Sequence, residues 1–430
     1  MEPAYDPRRC DEPVPASGQL GPRLNRPSHV VATVRVPGTG RRRWDQQTRT
    51  FRSTLAGLAA LGEWLSEFGV TLVGMEATGV YWKTVFQALE DRFECWLLNA
   101  QHLRNVPGRK TDVKDSEWIC QLVQHGLVRP SFVPPPEIRR LRDLTRLRKA
   151  QINERARSIQ RLEKVLQDAG IKLSSVASHT YSKSARAMLE ALLCGVTDPA
   201  QLAELAKARM RLKIPQLREA LASRFQIEHH GVMVAQLLAH IDTLDAAIQN
   251  LGERIELALA PHADVVELLC TIPGVHTHAA QVLIAECGLD MTRFPTVRHF
   301  ASWAGACPGH HESAGRRRSG RTRPGPRWLT DQLTECARAA VRTKGTYLAA
   351  HYAQLRGRRG EPKAIGAIRH DLLVAYYHVV RDQVPFRELG PDWQRKRSSP
   401  EHRARRLQRQ LEALGYKVNL EQVEQTKQAA

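Results

Sequence analysis

Three carboxylates and one serine-bearing loop are the places where this chain could build chemistry. Glu76 follows Thr71–Met75 (TLVGM), a short run rich in strand formers, and opens the loop EATGVYW. Strand ends are where open α/β sheets hold their sites. Asp112 and Asp115 stand three apart in GRKTDVKDSEW. On a helix beginning there, that spacing puts both on one face of the first turns. Carboxylates held together repel unless a cation shares them. Hard oxygen donors suit Mg2+ or Mn2+, which activate an attacking group and stabilise a phosphoryl transition state. Arg109 and Lys110, just upstream, would add charge for phosphate. Acids are also favoured at any helix N-terminus by the dipole, so Asp112 and Asp115 taken singly fit either role.

The second place is Cys307–Leu329, CPGHHESAGRRRSGRTRPGPRWL. It holds Ser313 and Ser319 among Arg316, Arg317, Arg318, Arg321, Arg323 and Arg327. Its glycines and prolines predict a segment outside regular structure. A serine among guanidinium groups suits phosphoryl chemistry, because arginines bind the phosphate and stabilise the charge added in the transition state. His310 and His311 are near in sequence, but neither is placed as an obvious base. A flexible basic loop that only grips backbone phosphate fits the same composition.

The elements that must position these residues follow from patterning. His29–Val36 (HVVATVRV) reads as a strand, with Thr50–Phe51 in a second, shorter one. Leu55–Phe68 and Trp82–Leu89 read as helices, and Phe93–Leu98 as another strand. Strands interleaved with helices imply an α/β layer with at least partly parallel pairing. Residues 137–168 carry Leu141, Leu144, Ile152, Ile159, Leu162 and Leu166 among many charges, a long amphipathic helix. Leu237, Ile241, Leu244, Ile248, Leu251 and Ile255 repeat at alternating four and three, a coiled-coil seam. A helical spacer that packs on itself fits equally. Thr271–Val275 (TIPGV) ahead of an apolar helix could present N–H groups to a phosphate, as helix-hairpin-helix elements do, or could simply cap a helix.

The division expected is an atypical, disordered tail at 1–28, an α/β domain at 29–130 and a helical, coiled-coil region at 131–260. A helical C-terminal domain at 261–385 and a basic helix with a disordered tail at 386–430 complete it. Lys and Arg total 64 against 44 Asp and Glu, a formal charge of +20 on 430 residues. That surplus points first to a polyanion, nucleic acid above all. The 42% apolar share is globular. No uninterrupted apolar run approaches the roughly 20 residues of a bilayer span, so no membrane partner is expected. The eight cysteines include no CxxC pair, which argues against a zinc ribbon and for reduced thiols in a cytoplasmic protein.

VGMEATGVYW, NVPGRKTDVKDSEW, TIPGV and CPGHHESAGRRRSGRTR together resemble the IS110-type transposases, in their IS1111 branch, from about residue 29 to about residue 395. The resemblance implies a ribonuclease-H or RuvC-like N-terminal domain with a DEDD acidic set and Mg2+ or Mn2+. Glu76 matches the glutamate, Asp112 and Asp115 the last two aspartates, and Ser313 an essential serine of the C-terminal transposase domain. It further implies excision and insertion of a mobile element, guidance by a structured RNA and a coiled coil for dimer or tetramer assembly. The serine would attack DNA covalently, with the acidic domain completing the site across subunits. Two positions depart from the pattern. The first aspartate of the set falls near Leu24, in GPRLNRPS, where no carboxylate stands. His276 and His278 occupy a turn that is usually glycine-rich. The resemblance thus leaves room for an impaired copy, for a protein that only binds nucleic acid, and for a Holliday-junction-resolvase-like nuclease.

Overall fold

The computed structural model describes residues 28–37, 44–77, 79–99, 112–177, 181–309, 311–393 and 400–420. The chain divides into two compact units, Met1–Pro134 and Pro135–Ala430.

The first unit is mixed α/β. β1 (His29–Pro37) and β2 (Trp44–Arg52) pair antiparallel over nine residues each, so the expected short second strand is as long as the first. β2 is exposed along most of its length, and its run of Asp, Gln, Thr and Arg carries little apolar signal. α1 (Leu55–Glu67) starts at Thr54, whose side chain accepts the Gly57 N–H, and buries Leu58, Leu61, Trp64 and Leu65 at helical spacing. β3 (Leu72–Glu76), α2 (Trp82–Leu89) and β4 (Glu94–Leu98) form a parallel βαβ unit in the register Val73 opposite Cys95. α3 (Asp112–Gln124) follows, and β5 (Pro130–Ser131) pairs antiparallel with β4. Val30, Val34, Leu61, Trp64, Val73, Met75 and Phe86 share one core. α3 closes over both ladders: Ile119 and Val123 join Leu72 and Leu98 in a smaller cluster. Thr33 in β1 meets Ser116 of α3 through buried hydroxyls 2.5 Å apart.

The second unit is helical. α4 (Pro136–Asp168) is the long amphipathic helix anticipated from spacing. α5 (Lys183–Leu193), α6 (Pro199–Glu204) and α7 (Ile214–Leu221) form a small cap. They bury Met188, Leu189, Leu202 and Leu217 against the Leu162–Leu166 end of α4 and the Val234–Ile241 end of α8 (Val232–Leu259). That end-to-end matching, with the Arg155–Asp245 ion pair farther along, sets α4 and α8 antiparallel. Of the heptad residues, Ile241, Leu244, Leu251 and Ile255 are buried, whereas Leu237 and Ile248 are only half-covered.

The segment Ile227–Cys270 contains an 18-residue window of mean hydropathy 1.3, only 28% of it buried. By length and composition alone that helix could cross a membrane, which the absence of a long uninterrupted apolar run had argued against. It nonetheless lies along the charged α4.

The C-terminal part runs through α9 (Ala263–Cys270), α10 (Thr277–Cys287) and α11 (Val297–Trp303), then a β-hairpin of β6 (His311–Ser313) and β7 (Arg316–Ser319). α12 (Arg327–Ala340), α13 (Tyr347–Arg359), α14 (Glu361–Asp382) and α15 (Pro400–Ala413) follow. α14 is the spine. Tyr376 is fully buried, and its hydroxyl donates to the Gly288 carbonyl at 2.7 Å. Tyr377 donates to the Phe294 carbonyl at 3.1 Å. Gly274, in the TIPGV turn, has φ +81°, and a Cβ there would sit 2.4 Å from the Cys336 carbonyl oxygen. Close packing on α12 therefore accounts for this glycine.

Candidate nucleic-acid site

The serine loop is ordered as a hairpin, which corrects the expectation of a segment outside regular structure. Ser313 pairs with Arg316 across the two-residue turn Ala314–Gly315. Both turn residues have positive φ, 51° and 72°, the signature of a type I′ turn, whose twist matches that of the flanking strands. Glycine accepts this conformation freely and alanine does not. The glycines that predicted irregularity are instead the turn and the base of the hairpin. At the base, Pro308 bridges to Thr322, and the Gly309 N–H donates to the Arg321 carbonyl at 2.9 Å. A Cβ on Gly325 would meet the Ala304 carbonyl oxygen at 2.1 Å, so the two chain segments can close the base only with glycine there.

Beside that base lies an open groove of about 670 Å³. Arg321, Arg323, Arg327 and Arg369 line it, with Asp331 as its carboxylate. The uncapped N-terminus of α12 borders it at Arg327 and Thr330. Arg323 donates to the Ser302 hydroxyl at 2.5 Å, and Arg369 to the Thr334 hydroxyl at 3.4 Å. Four cations against one anion make a site for a polyanion. Burial raises the pKa of the nearby Cys307 thiol, with Arg323 opposing, so it stays a neutral thiol.

In the first unit, Glu76 is the last residue of β3 and is half-buried. α3 begins at Asp112, so Asp112 and Asp115 stand one turn apart at its start, with Asp115 half-buried. The side chains of Asp112, Ser313, Arg317, Arg318 and Ser319 lie outside the described residues, as do Arg109, Lys110, His310 and the Leu24 region.

Sequence reasoning missed three features. Arg369 joins the groove from α14, more than forty residues beyond the arginine loop, with no local signal. His351 and Asp371 form a pair, Nδ1 to Oδ2 at 2.6 Å, with Tyr347 stacked on the imidazole. Asp168, His229 and His230 bring ligand-type atoms within 4.8 Å of one another, a set able to hold a divalent ion. Two imidazoles suit zinc-like metals better than Mg2+. His230 Nδ1 also accepts the Gln226 N–H at 3.1 Å, which leaves its Nε2–H to donate to Asp168 at 3.3 Å. The trio thereby ties the turn ahead of α8 to the end of α4.

Residues 28–171 match the family model for DEDD transposases of the IS110 type, and residues 266–353 match that of the transposase IS116/IS110/IS902 family. The chain belongs to the IS110 transposase family. Its enzymes cleave DNA, and both Glu76 with the α3 aspartates and the Ser313 hairpin fall inside matched segments. A "probable family 20 transposase" of Pseudomonas aeruginosa is 26% identical over 275 residues, 63% of this chain and 71% of the relative.

The two matched segments of this transposase are tied within the second unit by buried charge. Glu286 of α10 is 1% exposed, and Arg146 of α4 grips its carboxylate with two hydrogen bonds of 2.8 and 2.9 Å. Arg142 donates to the Ala285 and Glu286 carbonyls, capping the end of α10.

Proposed function

We propose that this transposase is a DNA recombinase of the IS1111 branch, with Ser313 as its nucleophile. The observation that supports this is the hairpin, which holds residue 313 beside a tight turn above an arginine-lined groove. In the proposed step, the serine oxygen forms a bond to a DNA phosphorus as the bond to one strand end breaks. The serine proton finishes on the released hydroxyl. Rejoining reverses the exchange, so the phosphodiester energy is kept and no nucleotide is consumed. Arg316, Arg317 and Arg318 of β7 hold that phosphate and its added charge, while Arg321, Arg323 and Arg327 hold the DNA backbone beside it.

Glu76, Asp112 and Asp115 are the residues that would hold Mg2+ or Mn2+, and their all-carboxylate chemistry fits a hard ion. When bound, the ion would neutralise phosphate charge and polarise the attacking group. Arg109 and Lys110 would add phosphate contacts. Guidance by a structured RNA and assembly as a dimer or tetramer belong to the same reading. The +20 charge supports the first, and the half-covered Leu237 and Ile248 of the heptad seam support the second.

Leu24 favours a second reading. With leucine where the first aspartate falls, the set has three carboxylates rather than four, and metal affinity follows charge and ligand count. This copy would then hold nucleic acid while cleaving poorly. Incubation with DNA from the ends of its own element, with its RNA and Mg2+, distinguishes the two. A phosphoserine-linked DNA adduct that Ser313→Ala abolishes, with DNA retention intact, supports the recombinase. Retention with no adduct supports the impaired copy. Hydrolysis that ignores Ser313→Ala would point to a resolvase-like nuclease.

A further inference from the structure

The distance between the hairpin's two ends constrains what each can touch. From Thr322, at the Pro308 bridge, back to Arg316, which pairs with Ser313, the chain runs six residues, one of them extra at a bulge, so it advances about 17 Å at roughly 3.3 Å per residue. The groove opens at the base, bordered by Ala304, Gly305 and the Arg321–Gly325 segment. A phosphate seated there cannot be the phosphate at the tip. Along one strand of a duplex, 17 Å corresponds to about five base pairs of axial rise. An extended strand covers the same span in fewer nucleotides.

We propose that the groove is a separate backbone clamp. Arg369 and Arg323 grip a phosphate about two to five nucleotides away from the one held at the hairpin tip, on the same DNA. Arg369 is the informative member. It comes from the spine helix α14 rather than the hairpin, so it fixes the groove to the body of the domain. Arg323 lies on the hairpin side and is anchored through Ser302 at the end of α11. A strand lying across both would hold the hairpin at a set height over the DNA, and phosphate contacts of this kind fix register without reading sequence. This rests on the DNA-binding part of the proposed function, but not on the serine chemistry.

The test is a phosphate-neutralisation scan. Duplexes carrying the element end, each with one methylphosphonate, are bound to the full chain and to its Arg369→Gln and Arg316→Gln variants. Arg316 marks the tip through its pairing with Ser313. Neutralising a gripped phosphate should weaken wild-type binding about tenfold, the scale of one charge-assisted hydrogen bond. In Arg369→Gln that sensitivity should vanish at one position and persist elsewhere, while Arg316→Gln should lose it at another position two to five nucleotides away. Circular dichroism and melting of each variant confirm that it is folded. If Arg369→Gln keeps the full wild-type pattern, or if both variants lose sensitivity at the same or adjacent phosphates, the clamp is wrong. A covalent adduct assay on the same duplexes reports on Ser313 independently, so loss of the serine reading and loss of the clamp are told apart.

Discussion

Arg146→Ala should open the α4–α10 junction, and its effect can be worked from the geometry. The substitution removes both hydrogen bonds to Glu286, whose side chain is 1% exposed. Arg142 remains, but its nearest approach to the carboxylate is 3.6 Å, and it is already engaged with two carbonyls. Breaking one partner of a buried pair costs about 3–5 kcal/mol. Arg146 is itself 30% exposed, which lets water reach part of the gap, so the lower end, about 3 kcal/mol, is expected. Cys287, next in sequence and fully buried, is the reporter. Burial raises its thiol pKa, and Glu286 adds to the rise, so it reacts only when the junction opens. A loss of 3 kcal/mol should speed alkylation of the Cys287 peptide, followed by mass spectrometry, about 150-fold. The double variant Arg146→Met/Glu286→Leu should label near the wild-type rate, because apolar replacement of a buried pair is close to neutral. Acceleration below about fivefold in Arg146→Ala, or a double variant as fast as the single, would refute the claim that this pair closes the junction.

Gly274→Ala should destabilise the C-terminal domain by about 2–4 kcal/mol, from left-handed strain plus collision with the backbone of α12, read as a lower melting temperature. Ala314→Gly relieves the positive φ at the hairpin turn and should slow hydrogen exchange across Arg316–Arg321, consistent with a gain of about 0.5–1 kcal/mol; faster exchange would count against the type I′ turn. Hydrogen bonds from Arg186, reinforced by Tyr181 and opposed by slight burial, hold Asp242 below its ordinary carboxylate pKa. Its stabilisation is therefore complete above the unfolded value near 4 and is lost as pH falls through the lowered one. Thermal melts between pH 5 and 2 should show a shallower slope in Asp242→Asn. Leu24→Asp should strengthen Mn2+ binding measured by calorimetry, and unchanged affinity would separate position 24 from the metal set.

Legibility in the sequence tracked how local each determinant is. α4 and the buried side of α8 could be read from spacing alone, because burial on one face of a helix imposes its own period. β2 was legible only at its end, since an exposed strand has no such period and owes its length to the ladder with β1. The arginine loop was misread for a related reason. Glycine and proline signal that the chain departs from helix, but Gly315 serves a hairpin turn and Gly325 a close backbone crossing, and only the pairing distinguishes these uses from a loose loop. Arg369 had no signal at all, because its role depends on how α14 packs against α12, where Arg369 donates to Thr334 at the edge of the groove.

The two halves of the proposed chemistry therefore rest on different kinds of support. The carboxylates sit on local features, a strand end and the first turn of a helix, and such features persist wherever those elements form. The serine sits at the tip of a hairpin only a few residues long, which needs something else to fix its height and angle. Gly325 against Ala304 and Arg323 against Ser302 supply that support at the base. A nucleophile carried on such an arm loses rate steeply with small misplacement. On this argument the residues that set the rate of strand exchange include those at the base of the hairpin, remote from Ser313, and substitutions there should lower the rate constant of adduct formation more than they weaken DNA binding.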